Sequence, residues 1–483
     1  MANSSIGEAT VSAHMKPSPS SVSFASDGSI DPVKKKHAKT KNSERNITVM
    51  MFAVSVGCKQ SPDQPSLNDC LESTPPALND LTSILLRFRL HRYAVSTDIE
   101  KAFLHVGLHE KDRDATRFLW LSDPSDPESP LRSYRFKTVL FGATCSTFIL
   151  KATLLKHLDE NKTNPASLTL REDLYVDNVL SRFSQQSELV NYFRNTRALM
   201  NRASMNLRSW TFNSKTLREI AARESVLDAD EVTKVLGMRW TPEEDTMSFM
   251  HREIPTLHKL TKRDILRYSS QIYDPLGLLS PVTVRAKLLL QKLDKVHWDV
   301  PLTLDVQETW QQLAEDLNTV TNFSFPRQYC SSSSKMCLHV FVDASIRSYG
   351  AAAYIVSETE ASLAMPKNRI APVRKMTLPQ LELMAAVIGA RLATHLRKAL
   401  NICDITLWSD SQIVLNWLST SKPFNRFVKN RVQEIHLLTE DYTWKYCPTD
   451  DNPADLLTRG IPASQFTNNT LWNNGPSWIR RND

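Results

Sequence analysis

The sequence lacks any CxxC pair. Its seven cysteines, Cys58, Cys70, Cys145, Cys330, Cys337, Cys403 and Cys447, are scattered and odd in number. That excludes a disulfide framework or a zinc finger and points to a reducing compartment. It also lacks an apolar run near the ~20 residues that span a bilayer, and the start MANSSIGEATVSAH has no apolar core of a signal peptide. A soluble intracellular protein, cytoplasmic or nuclear and without a membrane partner, is expected. No Asp-Thr/Ser-Gly triplet occurs, so an aspartic protease is not encoded. Glycine is scarce, 11 beside 25 prolines, but 41% hydrophobic and 23% charged residues match an average soluble chain, so most of the 483 residues should fold, into two to four domains.

The net charge of +7 and a pI near 8.9 favour a polyanionic partner, though the excess is modest for this length. Residues 1–45 are small, polar and basic, with KKKHAKTK at Lys34 to Lys41, and read as a disordered tail. The run reads first as a solvated tail, with a nuclear-targeting or phosphate-binding patch as the alternative. From NITVMMFAVSV onward the pattern is that of folded structure. YAVSTDI, TRFLWL and YRFKTVL read as strands, and Ser146 to Asn161 has helical spacing. KVLGMRWTPEEDTMSFM reads as strands around a Pro-Glu-Glu-Asp hairpin tip. DPLGLLSP, Asp274 to Pro281, reads as a loop, and the serine run Ser331 to Ser334 as a linker. Beyond it a fresh α/β pattern begins: CLHVFVDAS, YGAAAYIVS, the helix LPQLELMAAVIGARLATHLRKAL, DITLWSDS and the helix QIVLNWLS.

Two sets of carboxylates stand out. Asp98 ends a strand, and Asp177 sits in LYVDNVL, a strand–turn–strand. Side by side, these strands would bring both carboxylates to one edge, where oxygen ligands suit hard divalent cations. On spacing alone, each Asp reads more readily as a turn residue beside a strand.

STDIEKAF, VLFGATCSTF, LYVDNVL and VLGMRW occur in the order of the palm motifs of reverse transcriptases, and their wording resembles the BEL/Pao group of LTR retrotransposons. SLNDCL before them and IYDPLGLLSPVTVRAKLLLQ after them are similar to flanking segments of that group, the latter overlapping a segment sometimes labelled a Pao peptidase. The resemblance runs from about Ser66 to the C-terminus. It implies metal-ligand roles for Asp98 and Asp177. Phe103 matches the aromatic residue that excludes the ribose 2′-OH, and Gly142 the close approach of backbone to template or nucleotide. Tyr175 would pack beneath the carboxylates, and Leu236 to Trp240 would grip the primer. Where the family ends its motif in two aspartates, the second here is Asn178, whose amide oxygen coordinates weakly and carries no charge. Ser146-Thr147-Phe148 replaces Ser-Pro-Phe. NITVMMFAVSVGCKQ stands where the family has an arginine-bearing fingers strand. The resemblance therefore implies an impaired RNA-directed DNA polymerase with degenerate fingers.

The second set is Asp343 at a strand end, Glu382 in a helix, Asp410 at a strand end and Asp455 at a helix start. VDAS, LELMAA, WSDSQIVLNWL and NPADLLTRG resemble, in order, the RNase H domains of the same elements, and imply that all four carboxylates bind two Mg²⁺ (or Mn²⁺) ions. Asp410 also reads as a helix N-cap and Glu382 as a solvated helix face. Asn452 and Thr458-Arg459 match the edge of that site, with a capping role for Asn452 left open, and the Ser411 hydroxyl is a candidate contact to the hybrid. Trp408, Trp417 and Trp444 read as core and strand residues rather than base-stacking platforms. Lys422, Arg426, Lys429 and Arg431 form a basic stretch that fits a nucleic-acid backbone or a solvated helix face.

The expected architecture is α+β and α/β multidomain. A disordered basic tail (1–45) precedes a reverse-transcriptase-like fingers remnant and palm (46–210) and a thumb or connection-like Pao-type region (211–334). An RNase H-like mixed-sheet domain (335–465) and a C-terminal linker (466–483) follow, the ending LWNNGPSWIRRND resembling the linker before integrase in longer polyproteins. Mg²⁺-dependent cleavage of RNA in RNA–DNA hybrids is the expected activity. The partners are then hybrid or template–primer and other element-encoded proteins, with no small-molecule cofactor. A non-catalytic nucleic-acid-binding remnant of a decayed or co-opted element is the alternative.

Overall fold

The computed structural model describes residues 63–72, 75–257, 259–331, 335–420 and 422–480. The basic tail and NITVMMFAVSV lie outside the described residues. In chain order the strands are β1 (Tyr93–Ile99), β2 (Arg117–Leu121), β3 (Leu131–Arg135), β4 (Leu174–Tyr175), β5 (Asn178–Phe183), β6 (Leu207–Phe212), β7 (Thr233–Val235), β8 (Met238–Thr241), β9 (Thr246–Ser248), β10 (Ser324–Pro326), β11 (Cys337–Ala344), β12 (Ser348–Val356), β13 (Ala361–Ile370), β14 (Ile405–Ser409) and β15 (Thr443–Tyr446). They form open sheets, among them a palm-like sheet β4-β5-β1-β6, a small sheet β10-β9-β8-β7 and a mixed sheet β13-β12-β11-β14-β15, beside the hairpin β2-β3.

In the palm-like sheet β1 is central and buried on both faces, as its run of Ala94, Val95 and Ile99 among small hydroxyl residues permits. The helices Ser146–Glu160 and Gln186–Arg202 supply Leu150, Leu154, Leu189 and Phe193 to the core behind it. A further helix, Pro165–Asp173, leads straight into β4 and was not legible in the sequence; Asn164 caps it, with a proline in the first turn. Sheet β7–β10 turns tightly at Leu236 and Gly237, both at positive φ, as a two-residue hairpin requires. The Gly237 backbone lies against the Tyr273 ring, which an added Cβ would meet at 2.5 Å.

The mixed sheet carries the helix Leu378–Leu400 on one face. This helix starts in a capping box of Thr377 and Gln380 and ends at Asn401 in the left-handed region. Alanines 385, 386, 390 and 393 and Gly389 line its buried side. A Cβ on Gly389 would lie 2.3 Å from Val342, so the absent side chain lets the helix settle onto β11. Strand β13 was not foreseen; it contains Pro366 and lies at the sheet edge, where a missing N–H is tolerated. Strand β15 runs parallel to β14 at the opposite edge.

Two expected boundaries move. The division after residue 210 falls inside β6, whose Trp210 pairs with the Val226 and Asp228 backbone in a single hydrophobic unit. The segment expected as a C-terminal linker packs instead: Trp472 is fully buried, its indole donates to the Leu278 carbonyl at 3.0 Å, and Tyr354 donates to the Trp472 carbonyl at 2.9 Å. Exposed tryptophan would cost transfer free energy, and the groove beside β12 removes it from water.

One guanidinium ties the parts together. Arg327 is fully buried; it chelates Asp245 at 2.7 and 2.8 Å and donates to the carbonyls of Phe88, His91 and Arg92. Its own carbonyl accepts from buried Arg89, which also donates to Leu363 in β13. Removing the guanidinium leaves Asp245, about a quarter exposed, and three carbonyls without their donor, and each buried polar group left unpaired costs roughly 1–3 kcal/mol. Arg327→Ala should therefore lower the urea midpoint sharply, and Arg327→Lys should not restore it, since an ammonium cannot reproduce the planar fork. A midpoint unchanged in Arg327→Ala would refute this role.

Candidate active site

In the palm-like sheet, β1 and β5 run antiparallel with Asp98 opposite Asn178, and the β4–β5 turn places Asp177 beside them. The turn needs Val176 at φ +56°, and the Asp177 carbonyl accepts from the Ile99 amide at 2.8 Å. Burial raises the Asp177 carboxyl above its ordinary range, and the Asp98 charge adds to the rise. The Asn178 amide donates to Asp177 at 2.8 Å. Asp98 accepts from Arg208 at 3.2 Å, a partner the sequence reading missed. Phe103 lies in a short 3-10 turn, buried, with Phe141 edge-on at 5.6 Å. Gly142 has φ +90°. Asn68, from SLNDCL, clamps that turn by donating to the Gly142 carbonyl at 3.1 Å and accepting from Thr144 at 3.0 Å, a role that no local pattern announces. Tyr175 faces Asn178 across the turn and is half-buried against the large core.

The second set converges for a topological reason. Strands β11 and β14 are parallel neighbours with Val342 opposite Ser409, so Asp343 and Asp410, one residue further on each, emerge together at their carboxyl ends. Open α/β sheets present their ligand sites there. Asn452 is buried and ties the next segment to this edge: its amide donates to the Val342 carbonyl at 3.0 Å and its oxygen accepts from Ala454 at 3.1 Å. Asp455 then starts the helix Asp455–Arg459. The helix on the sheet brings in Glu382 one turn from its start.

All four carboxylates share one neighbourhood. Burial pushes Asp343 up to about 7, with the Asp410 and Asp455 charges adding to the rise and the Thr458 hydroxyl opposing it through a hydrogen bond to Oδ2. Burial likewise raises Glu382, with the Asp410 charge adding and the Ser411 hydroxyl, at 2.6 Å, opposing. Asp410 is raised by burial and by Asp455 against hydrogen bonds from Thr449 and Asn452. Asp455 pairs with Arg459 at 2.6 Å. Among the described residues no three His, Cys, Asp or Glu side chains stand close enough to hold an ion as they are. Each carboxylate is instead turned to a protein donor.

The cap of the helix Gln412–Ser419 falls on Ser411, which accepts from Val414 at 3.2 Å, so Asp410 is free of that duty. The Ser411 hydroxyl points to Glu382. Trp408 donates to His339 at 2.9 Å within the core, and Trp444 packs against it from β15. Lys422, Arg426 and Lys429 are exposed, whereas Arg431 stacks 3.7 Å from the Phe427 ring.

The Asp343 value sets a pH dependence. Raised from 3.8 to about 7, this carboxyl favours the folded state while protonated, so its stabilisation is complete below pH 4 and lost as pH rises through 7. Without divalent ions, this one carboxyl should lower stability across that window by at most about 1.4 kcal/mol per pH unit. Asp343→Asn should flatten the slope relative to wild type, Asp274, raised to about 6, contributing equally in both. Identical slopes in urea titrations at pH 5, 6 and 7 would contradict the environment described.

Residues 261–411 match the model of the Pao retrotransposon-like RNaseH-like domain family. The match takes in Asp343, Glu382 and Asp410, ends before Asp455 and crosses the boundary expected at 334. No curated protein matches the chain. Its fold is similar to that of the foamy viral protease-reverse transcriptase: to a dRH form in complex with double-stranded DNA (TM-score 0.52, 14% identity, 80% of this chain and 62% of that one), to a complex with an RNA/DNA hybrid (0.52, 12%, 81% and 49%) and to another with double-stranded DNA (0.51, 13%, 80% and 74%). The chain thus spans about half to three quarters of these relatives. Residues 261–411 thus match a Pao retrotransposon-like RNaseH-like domain, within a chain whose overall fold is similar to that of a reverse transcriptase.

Proposed function

We propose that the chain is a divalent-metal-dependent ribonuclease that cuts RNA in RNA–DNA hybrids, carried on a reverse-transcriptase-like scaffold whose polymerase site is impaired. The observation that carries this reading is the convergence of Asp343, Glu382, Asp410 and Asp455 at the carboxyl ends of β11 and β14. The donor set is all carboxylate oxygen, which suits Mg²⁺ or Mn²⁺. Three of the four are held above their ordinary range by burial and by one another, so the cluster gains from added positive charge.

Two ions held by these four residues would lower the pKa of an attacking water and stabilise the leaving 3′ oxygen, giving a 3′-hydroxyl and a 5′-phosphate. The chain's own residues prepare the site. Thr458 and Ser411 fix the directions of Asp343 and Glu382, Asn452 fixes the distance between the Asp455 helix and β11, and Arg459 limits the charge at Asp455. The similar foamy viral structures hold double-stranded DNA or an RNA/DNA hybrid, which supports nucleic acid as the partner here. The exposed Lys422, Arg426 and Lys429 supply charge for its backbone. In the palm, Phe103, Gly142 and Tyr175 keep the positions that would meet nucleotide or template, while Asn178 brings no charge to its turn.

A hybrid with labelled RNA should be cut in Mg²⁺ by the wild-type chain. Asp410→Asn should lose more than the roughly 100-fold that removal of an outer partner costs. Equal cleavage by the two would overturn the proposal.

A further inference from the structure

We propose that the palm-like site is closed to divalent metal by a neighbouring cation, the half-exposed Arg208, and that the amide at Asn178 is only half of the block. The inference rests on reading this sheet as a polymerase remnant, and is independent of hybrid cleavage at the other site.

The register of β6 against β1 carries the argument. Val95 pairs with Phe212 and Ser96 with Thr211; continued, that register would set Ser209 opposite Asp98. The register instead shifts between Ser96 and Asp98, and Arg208 stands opposite Asp98. The extra residue of β6 is accommodated with Ser209 at φ +50°, a conformation that costs a non-glycine residue about 1 kcal/mol. Bulges of this kind re-aim side chains beside active sites. The Thr97 hydroxyl locks the new register by donating to the Arg208 carbonyl at 2.6 Å. Directly opposed residues share a face of the sheet, so the guanidinium reaches Asp98 at 3.2 Å and lies 3.8 Å from Glu100 beyond it. Asn206 holds Glu100 in turn at 3.1 Å.

The charges decide the outcome. The palm pair, Asp98 and Asp177, brings two negative charges; Arg208 cancels one and the Asn178 N–H occupies a lone pair of the other carboxylate. In the RNase H-like cluster four carboxylates face one arginine, Arg459, and Asp343, Glu382 and Asp410 take only hydroxyl or amide donors. In the palm the guanidinium, shared with Glu100, sits on one of the two carboxylates, whereas three of the four in the RNase H-like cluster have no ion-pair partner among the described residues. Restoring a carboxylate at 178 alone leaves the guanidinium on Asp98, so a metal would still have to displace a fixed cation.

Mn²⁺ binding by the full chain, read from the electron paramagnetic resonance of free Mn²⁺, tests this without any activity. Asp343→Asn and Asp410→Asn are placed in every version to silence the C-terminal carboxylates. In that background the palm should bind weakly. Asn178→Asp should change little, and Asn178→Asp with Arg208→Gln should tighten binding on the order of ten-fold or more. Asn178→Asp with Arg208→Lys should stay weak, because the cation remains. Arg208→Gln alone should gain a few-fold, which decides the matter if the paired variant does not fold. The proposal is overturned if the background already binds as tightly as the paired variant, if Asn178→Asp alone matches it, or if removing Arg208 gains nothing. Loss of hybrid cleavage by the otherwise wild-type chain would bear on the RNase H reading and leave this result standing.

Discussion

Arg327 buries a full positive charge, and much of the arrangement follows from what that charge requires. A guanidinium without solvent must find an acceptor for each N–H, and here they come from Asp245 in the β8–β9 turn and from carbonyls at the end of the helix Leu81–Phe88. Arg89, buried beside it and stacked 4.1 Å from Tyr329, extends the network to β13 through Leu363. The palm entry, the small sheet and the mixed sheet are therefore fixed to one polar knot, and the hydrophobic core runs unbroken around it. Such a knot adds little net stability over an apolar replacement, but it leaves the three elements few other ways to pack.

On this frame two acidic sites have taken opposite electrostatic courses. In the mixed sheet, parallel neighbours set two carboxylates side by side, a helix brings a third and a short turn the fourth, and burial makes their mutual repulsion count. Hydroxyl and amide donors hold Asp343, Glu382 and Asp410 without neutralising them, and only Asp455 meets a guanidinium, that of Arg459. In the palm-like sheet the antiparallel neighbours bring an amide to one carboxylate and an arginine to the other, which oppose the repulsion that the Asp98 charge still exerts on Asp177. The two sites use the same residue types at strand ends, and what distinguishes them is the charge of the next strand.

Much of this could be read from the sequence. The strands around Asp98, Asp343 and Asp410 and the helix carrying Glu382 follow from apolar periodicity that ends abruptly in an acid. Other features had no local signal. Edge strand β13 contains a proline and charged residues, so its pattern is not that of a strand until β12 pairs with it. The burial of Trp472 depends on a groove made by residues about two hundred positions earlier. Asn68 looks like any polar loop residue until the Gly142 turn is folded over it.

The sequence by itself determined which residues are candidates for chemistry, because carboxylates at the ends of apolar runs and an amide in place of an acid are properties of the residues and their order. Tertiary structure alone decided what those residues face. Thr458 on Asp343, Ser411 on Glu382 and Arg208 on Asp98 span from 29 to 115 positions of chain. The last depends on a single bulge that moves the register by one residue. Pairing across strands and helices fixes electrostatic partners, and no periodicity within one segment encodes which segment will lie beside it.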